Sequence, residues 1–122
     1  AWERRDPDAM LELFADGAEH RLDPFAPPLE GLNALREHWN RVAAEQDHIE
    51  FDAERAWVSG RTVLASWHVA ITRRATAERV RIRAFSTMEL DDHGRIRRMR
   101  DWPVEQVVGI DSSYKPHAEA GE

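Results

Sequence analysis

The spacing of apolar residues changes period once along the chain. The two stretches of helical spacing lie before residue 48. Met10, Leu13 and Phe14 fall on one face of a short segment, and Leu32, Leu35, Trp39 and Val42 share a face of a longer one. From His48 onward the period is two. Ile49, Phe51, Ala53 and Trp57 alternate with polar residues, then Val63, Ala65, Trp67, Val69 and Ile71, then Val80, Ile82, Ala84, Ser86, Met88 and Leu90. A last strand is expected over Arg95 to Trp102, with turns at Ser59-Gly60, Arg74 to Glu78 and Asp91 to Gly94.

The punctuation agrees with this order. Asp6-Pro7 is a helix start, with a capping carboxylate before a proline preset for the first turn, and Asp16-Gly17 is expected to stop that helix. Residues 1–5 read as the last turn of an earlier helix. Ala18 to Leu22 reads as a short strand, and Pro24, Pro27 and Pro28 keep Asp23 to Leu29 a loop. The second helix follows Gly31, and Glu37 with Arg41 forms a favourable surface pair on it. Helices gathered before long antiparallel strands predict an α+β domain whose sheet buries one face beneath them. On the third long strand the other face carries Arg81, Arg83, Phe85, Thr87 and Glu89, a mixture that predicts a homodimer through the outer sheet face.

The 122 residues suit one domain, expected over 1–103 with a truncated first helix, followed by a tail at 104–122. Without cysteine, disulfides and thiolate chemistry are excluded, and no apolar run approaches a membrane span, so a cytoplasmic protein without membrane contact is expected. The net charge of -6 argues against nucleic acid. It conceals a division: nine arginines stand against five acids from Arg73 to Asp101, and fourteen acids against seven arginines in the first 72 residues. No Gly-rich phosphate loop accompanies Arg81, Arg83, Arg98 and Arg100, which are expected in surface or dimer ion pairs. The six histidines match no ligand spacing, so neither metal nor cofactor is expected.

The run FADGAEHRLDPFAPPLEGLNALREHW, the long strands after it and the closing ELDDHGRIRRMRDWP resemble the nuclear-transport-factor-2-like superfamily, in particular its SnoaL-like branch with the ketosteroid isomerases and polyketide cyclases. The resemblance implies a cone-shaped α+β fold, a curved sheet of four to six strands around a hydrophobic pocket closed by helices. It implies that Asp23, in Leu22-Asp23-Pro24, stands near the position of the isomerase base. It also implies that Ser86 replaces the second acid of the isomerase oxyanion hole, and that Asp101 matches the acid/base aspartate of the cyclases. Nothing in the chain matches the isomerase tyrosine.

The residues themselves leave alternatives. Asp23 at an apolar rim would gain basicity by desolvation, or it only organises the turn before Pro24. Asp101, two residues from Arg97 on one face, is either an acid/base group or half of a salt bridge. His20 and His68 are candidates to join Asp23 in a polar cluster. Phe25, Trp39, Phe51, Trp57, Trp67, Met88 and Met99 are candidate walls for a small hydrophobic ligand, with Phe25 as a lid, or else ordinary core. The expected function is a cofactor-independent isomerase, cyclase or dehydratase that abstracts a proton next to a carbonyl. The alternatives are a non-catalytic binding domain and a dimerisation module whose cone is filled by its own tryptophans.

Overall fold

The computed structural model describes Trp2 and residues 6–114; the expected earlier helix turn, apart from Trp2, and the end of the tail, HAEAGE, lie outside the described residues. The first helix, α1 (Pro7–Leu11), is capped as expected, Asp6 accepting from the backbone N–H of Ala9 at 3.2 Å. It stops earlier than Asp16-Gly17. Phe14 already belongs to β1 (Phe14–Arg21), and Gly17 takes a positive φ of 73° where the strand's register slips, so the Asp-Gly step kinks a strand instead of ending a helix.

After the loop come β2 (Leu29–Glu30) and α2 (Gly31–Glu45), whose buried face carries Leu35 and Trp39. Four long strands follow: β3 (Gln46–Ser59), β4 (Thr62–Arg73), β5 (Glu78–Leu90) and β6 (Ile96–Ile110). They join one six-stranded sheet in the order β2-β1-β6-β5-β4-β3. The sheet is mixed, because β1 runs parallel to β6 while its other neighbours are antiparallel.

The last strand runs past the expected end at Trp102, pairing Pro103 with Ala84 and Ile110 with Glu78. Its register with β1 ends at Arg100, so the remainder is an edge, where a proline is tolerated. Two bulges reverse which side chains face inward. Between Ala53 and Arg55 the extra residue Glu54 sends Trp57 to the outer face, against the expected alternation. Between Glu89 and Leu90, β6 places Arg97 as the unpaired residue, which takes it off the face of Asp101.

One core cluster, Leu11, Phe14, Ala18, Leu35 and Ile96, lies between the helices and β1, with Met88 and Met99 packed against it. A second, Val69, Ile71 and Val80, lies under Trp2, Ile49, Trp67 and Ile82. The uneven charge of the sequence is matched in space: Arg79 and Arg83 on β5 reach over β4 to Glu50 and Glu54 on β3, at 2.7 and 2.9 Å, and Arg98 lies 3.5 Å from Glu89. No helix among the described residues is long and apolar enough to cross a membrane.

Candidate functional site

A chain of hydrogen bonds crosses the apolar interior from β4 to β1. The indole Nε1 of Trp67 donates to Ser86 Oγ at 2.8 Å, Ser86 Oγ donates to Asp101 Oδ1 at 2.6 Å, and His20 Nε2 lies 2.8 Å from Asp101 Oδ2. Backbone register assembles it. Ser86 pairs directly with Asp101 across β5 and β6, while the parallel pairing of β1 with β6 puts His20 opposite Met99, two residues from Asp101. Ser86 is fully buried, His20 is 2% exposed and Asp101 7%.

The donors fix the direction of the chain. An indole nitrogen only donates, so Ser86 accepts from Trp67 and its own O–H donates to the carboxylate. A carboxylate taken from water needs such partners, and the Ser86 hydroxyl on one oxygen and the His20 imidazole on the other supply them. With His20 donating Nε2–H to Asp101, its Nδ1 carries a lone pair, and that atom is buried with no hydrogen-bond partner among the described residues. Trp39 Nε1 is likewise buried and unpartnered.

His38 joins the group from α2. Its ring centroid lies 6.4 Å from that of His20 and 5.0 Å from that of Trp39. Burial, then the neighbouring His20 and Arg41, lower its pKa from 6.5 to about 4 against the opposing pull of Asp101, so it is neutral at pH 7. It was not among the sequence candidates. The signal was present, since His38 follows Leu35 by three residues on the face that includes Trp39.

Other candidates fall elsewhere. Asp23 is exposed, its Oδ1 accepting from Phe25 N–H at 2.7 Å, so it organises the turn and does not meet His20's cluster. Phe25 is 97% exposed and walls nothing. Asp101 pairs with His20 and Ser86, whereas Arg97 pairs with Glu89 at 3.2 Å. Ser86 has its proton committed to Asp101 and is not free as an oxyanion donor. His68 sits apart on the outer face, 3.9 Å from both Asp52 and Glu54. These three offer ligand atoms within 4.8 Å of one another, but Glu54 already pairs with Arg83.

Of the proposed walls, Met88 and Met99 pack into the core under α1, and Trp57 lies outside. The other three surround one ring. The indole of Trp2 packs against Trp39, Phe51 and Trp67 with centroids 5.5, 5.7 and 5.6 Å away, and its Nε1 donates to Gln46 Oε1 at 2.9 Å. Surface hollows lie away from this interior. A cleft of about 610 Å³ is lined by His48, Arg79 and Asp111, and a trough of about 520 Å³ on the outer sheet face by His68, Phe85 and Trp102.

Solved structures share this architecture. SalBIII, an epoxide hydrolase/cyclase-like enzyme described in pyran ring formation in the polyether salinomycin, superposes with a TM-score of 0.77 at 22% identity over 87% of this chain and 86% of its own. A putative isomerase from Bacillus subtilis gives 0.74 at 25% identity over 84% and 77%. An LEH-like epoxide hydrolase from M. tuberculosis gives 0.72 at 21% over 85% and 74%. The likenesses to SalBIII and the M. tuberculosis enzyme establish the fold and not the reaction. No curated protein matches the chain. The model of the SnoaL-like domain matches residues 1–99, and with the six-stranded mixed sheet and its helical cover this chain belongs to the SnoaL-like domain family.

Proposed function

We propose that the protein binds a small apolar molecule carrying an oxygen function and moves a proton on it, with His20 as the base. The observation that carries this reading is a buried imidazole whose Nε2 is held by Asp101 while its Nδ1 has no partner among the described residues. In this arrangement Nδ1 takes a proton from the carbon next to a carbonyl, and the electron pair moves to the carbonyl oxygen as an enolate. The imidazolium is stabilised by Asp101, which Ser86 and Trp67 hold in place. Trp39 Nε1–H is the available donor for the enolate oxygen. Return of the proton to another carbon gives an isomerase; ring closure or loss of water from the enolate gives a cyclase or a dehydratase.

The test is deuterium exchange at the α-carbons of 2-tetralone in D2O, followed by NMR. Wild type is expected to exceed the buffer rate, and His20→Gln and Asp101→Asn each to lower the enzymatic rate by roughly 10²–10⁴-fold. Asp23→Asn leaves it unchanged. Exchange that survives His20→Gln, or a wild type no faster than buffer, overturns the proposal.

A second reading, assembly through the outer sheet face, is favoured by its apolar exposure. Phe85 and Trp102 are 38% and 42% exposed and Val104 72%, and Trp57 lies 6.0 Å from Phe85 between ring centroids. The rim carries both signs, with Glu54 beside Arg81 and Arg83, so the occupant it suits is a second copy related by a two-fold axis.

A further inference from the structure

We propose that the indole of Trp2 is an intramolecular occupant of a ligand cage, and that the cage is built for a planar fused-ring aromatic molecule bearing an oxygen substituent, which displaces it. The inference rests on the interior site proposed above and names its substrate class.

The cage is aromatic on three sides. Trp39 and Trp67 meet Trp2 edge-on at 77° and 69°, and Phe51 meets it at a tilt of 42°. Such edge and tilted contacts are the favoured geometries between aromatic rings, and together they define a slot for a flat bicycle. Phe51 and Trp67 also touch each other, with centroids 5.7 Å apart, so two walls support one another independently of Trp2.

The cage is continuous with the polar chain. One wall, Trp67, is the first donor of the sequence Trp67–Ser86–Asp101–His20. Another, Trp39, stacks edge-on with His38, whose ring neighbours that of His20. Trp2 fills the apolar volume but answers neither unpartnered atom. An indole has one donor and no acceptor, and that donor is spent on Gln46. Trp39 Nε1–H, a donor, and His20 Nδ1, a lone pair, are left over. Buried polar atoms are normally satisfied, so two exceptions, one on a wall of the slot and one on the imidazole linked to that wall through His38, point to a ligand that accepts from the first or donates to the second. An oxygen on a fused aromatic ring does either, as carbonyl or as hydroxyl.

2-Naphthol is the probe, a flat bicycle with one hydroxyl. Isothermal titration is expected to show Trp2→Ala binding it at least tenfold more tightly than wild type, with Trp2→Phe between them. In wild type itself, 15N-resolved NMR is expected to show the Trp2 indole N–H, assigned by its loss in Trp2→Phe, leaving its Gln46-bonded position as 2-naphthol is added. A folded Trp2→Ala that binds no tighter than wild type overturns the proposal. Should Trp2→Ala not fold, the wild-type titration decides, and a Trp2 resonance unmoved at saturating 2-naphthol overturns it. His20→Gln separates this idea from the catalytic one. Loss of proton exchange with no gain of binding in Trp2→Ala leaves the base standing and removes the plug; the converse leaves the plug and removes the base.

Discussion

Acidification between pH 6.5 and pH 4 is expected to destabilise the protein through His38. Its imidazole has a pKa of about 4 in the folded chain against 6.5 in the open one, chiefly because burial disfavours the charged ring and because His20 and Arg41 stand near. In that window the unfolded chain binds the proton and the folded chain does not, so unfolding gains free energy as pH falls. The contribution is fully present above pH 6.5 and is lost as pH drops to about 4. A difference of that size converts to about 3 kcal/mol. For a chain of 122 residues it corresponds to roughly 10 °C in Tm. Thermal melts by circular dichroism at half-unit steps from pH 7.5 to pH 4, for wild type and His38→Gln, isolate this group from the other titrating side chains. The wild-type Tm is expected to fall more steeply than the variant's, with the two curves diverging only below pH 6.5. Parallel curves would refute the reasoning, because His38 would then titrate alike in both states.

Ser86→Ala is expected to cost about 1–3 kcal/mol in urea unfolding, since it leaves the Trp67 N–H without its acceptor and Asp101 with His20 but without the Ser86 donor. Adding Trp67→Phe should cost less than the sum, and full additivity would count against the chain of bonds. At the end of β6, Asp111 accepts from Thr72, Ser113 and His48, which hold its carboxyl well below the usual range. A depressed folded pKa means stability present above about pH 4 and lost below it, so the Tm gap between wild type and Asp111→Asn should narrow on acidification below pH 4; a gap independent of pH sinks this assignment. Phe85→Glu combined with Trp102→Glu should convert a dimer to a folded monomer in light scattering after size exclusion, and an unchanged mass would remove the outer-face interface.

The elements that were legible are those whose own side chains decide them. Alternation along β4 and β5 marks both faces, and Leu35 with Trp39 marks the buried side of α2, so helices under a meander could be read directly. The bulges could not. Glu54 and Arg97 are ordinary polar residues, and nothing local announces that each is the extra one in its ladder. A single such residue flips everything beyond it, which is why Trp57 faces outward and why Arg97 lost its assigned partner. Pro103 misled for a related reason. It ends a central strand but not an edge, and that distinction depends on where β1 stops.

Three of the candidate site residues meet in the structure, but with other partners than the sequence suggested. His20, Ser86 and Asp101 were all singled out, but Asp101 was assigned to a neighbour in the chain, and His20 to Asp23, three residues away. The sheet follows a different rule. Parallel pairing of the first strand with the last joins residues 81 positions apart, and only that crossover brings His20 to Asp101. Asp23 lies two residues past the end of β1, where its carboxylate closes a turn in solvent, while His20 lies within β1 on the face that Ala18 also buries. Position relative to the strand end thus decides which of two nearby titratable groups enters the interior. The same register leaves the aspartate near the end of the sheet held by a serine on one oxygen and a histidine on the other, the arrangement on which the proposed part of Asp101, to orient His20, rests.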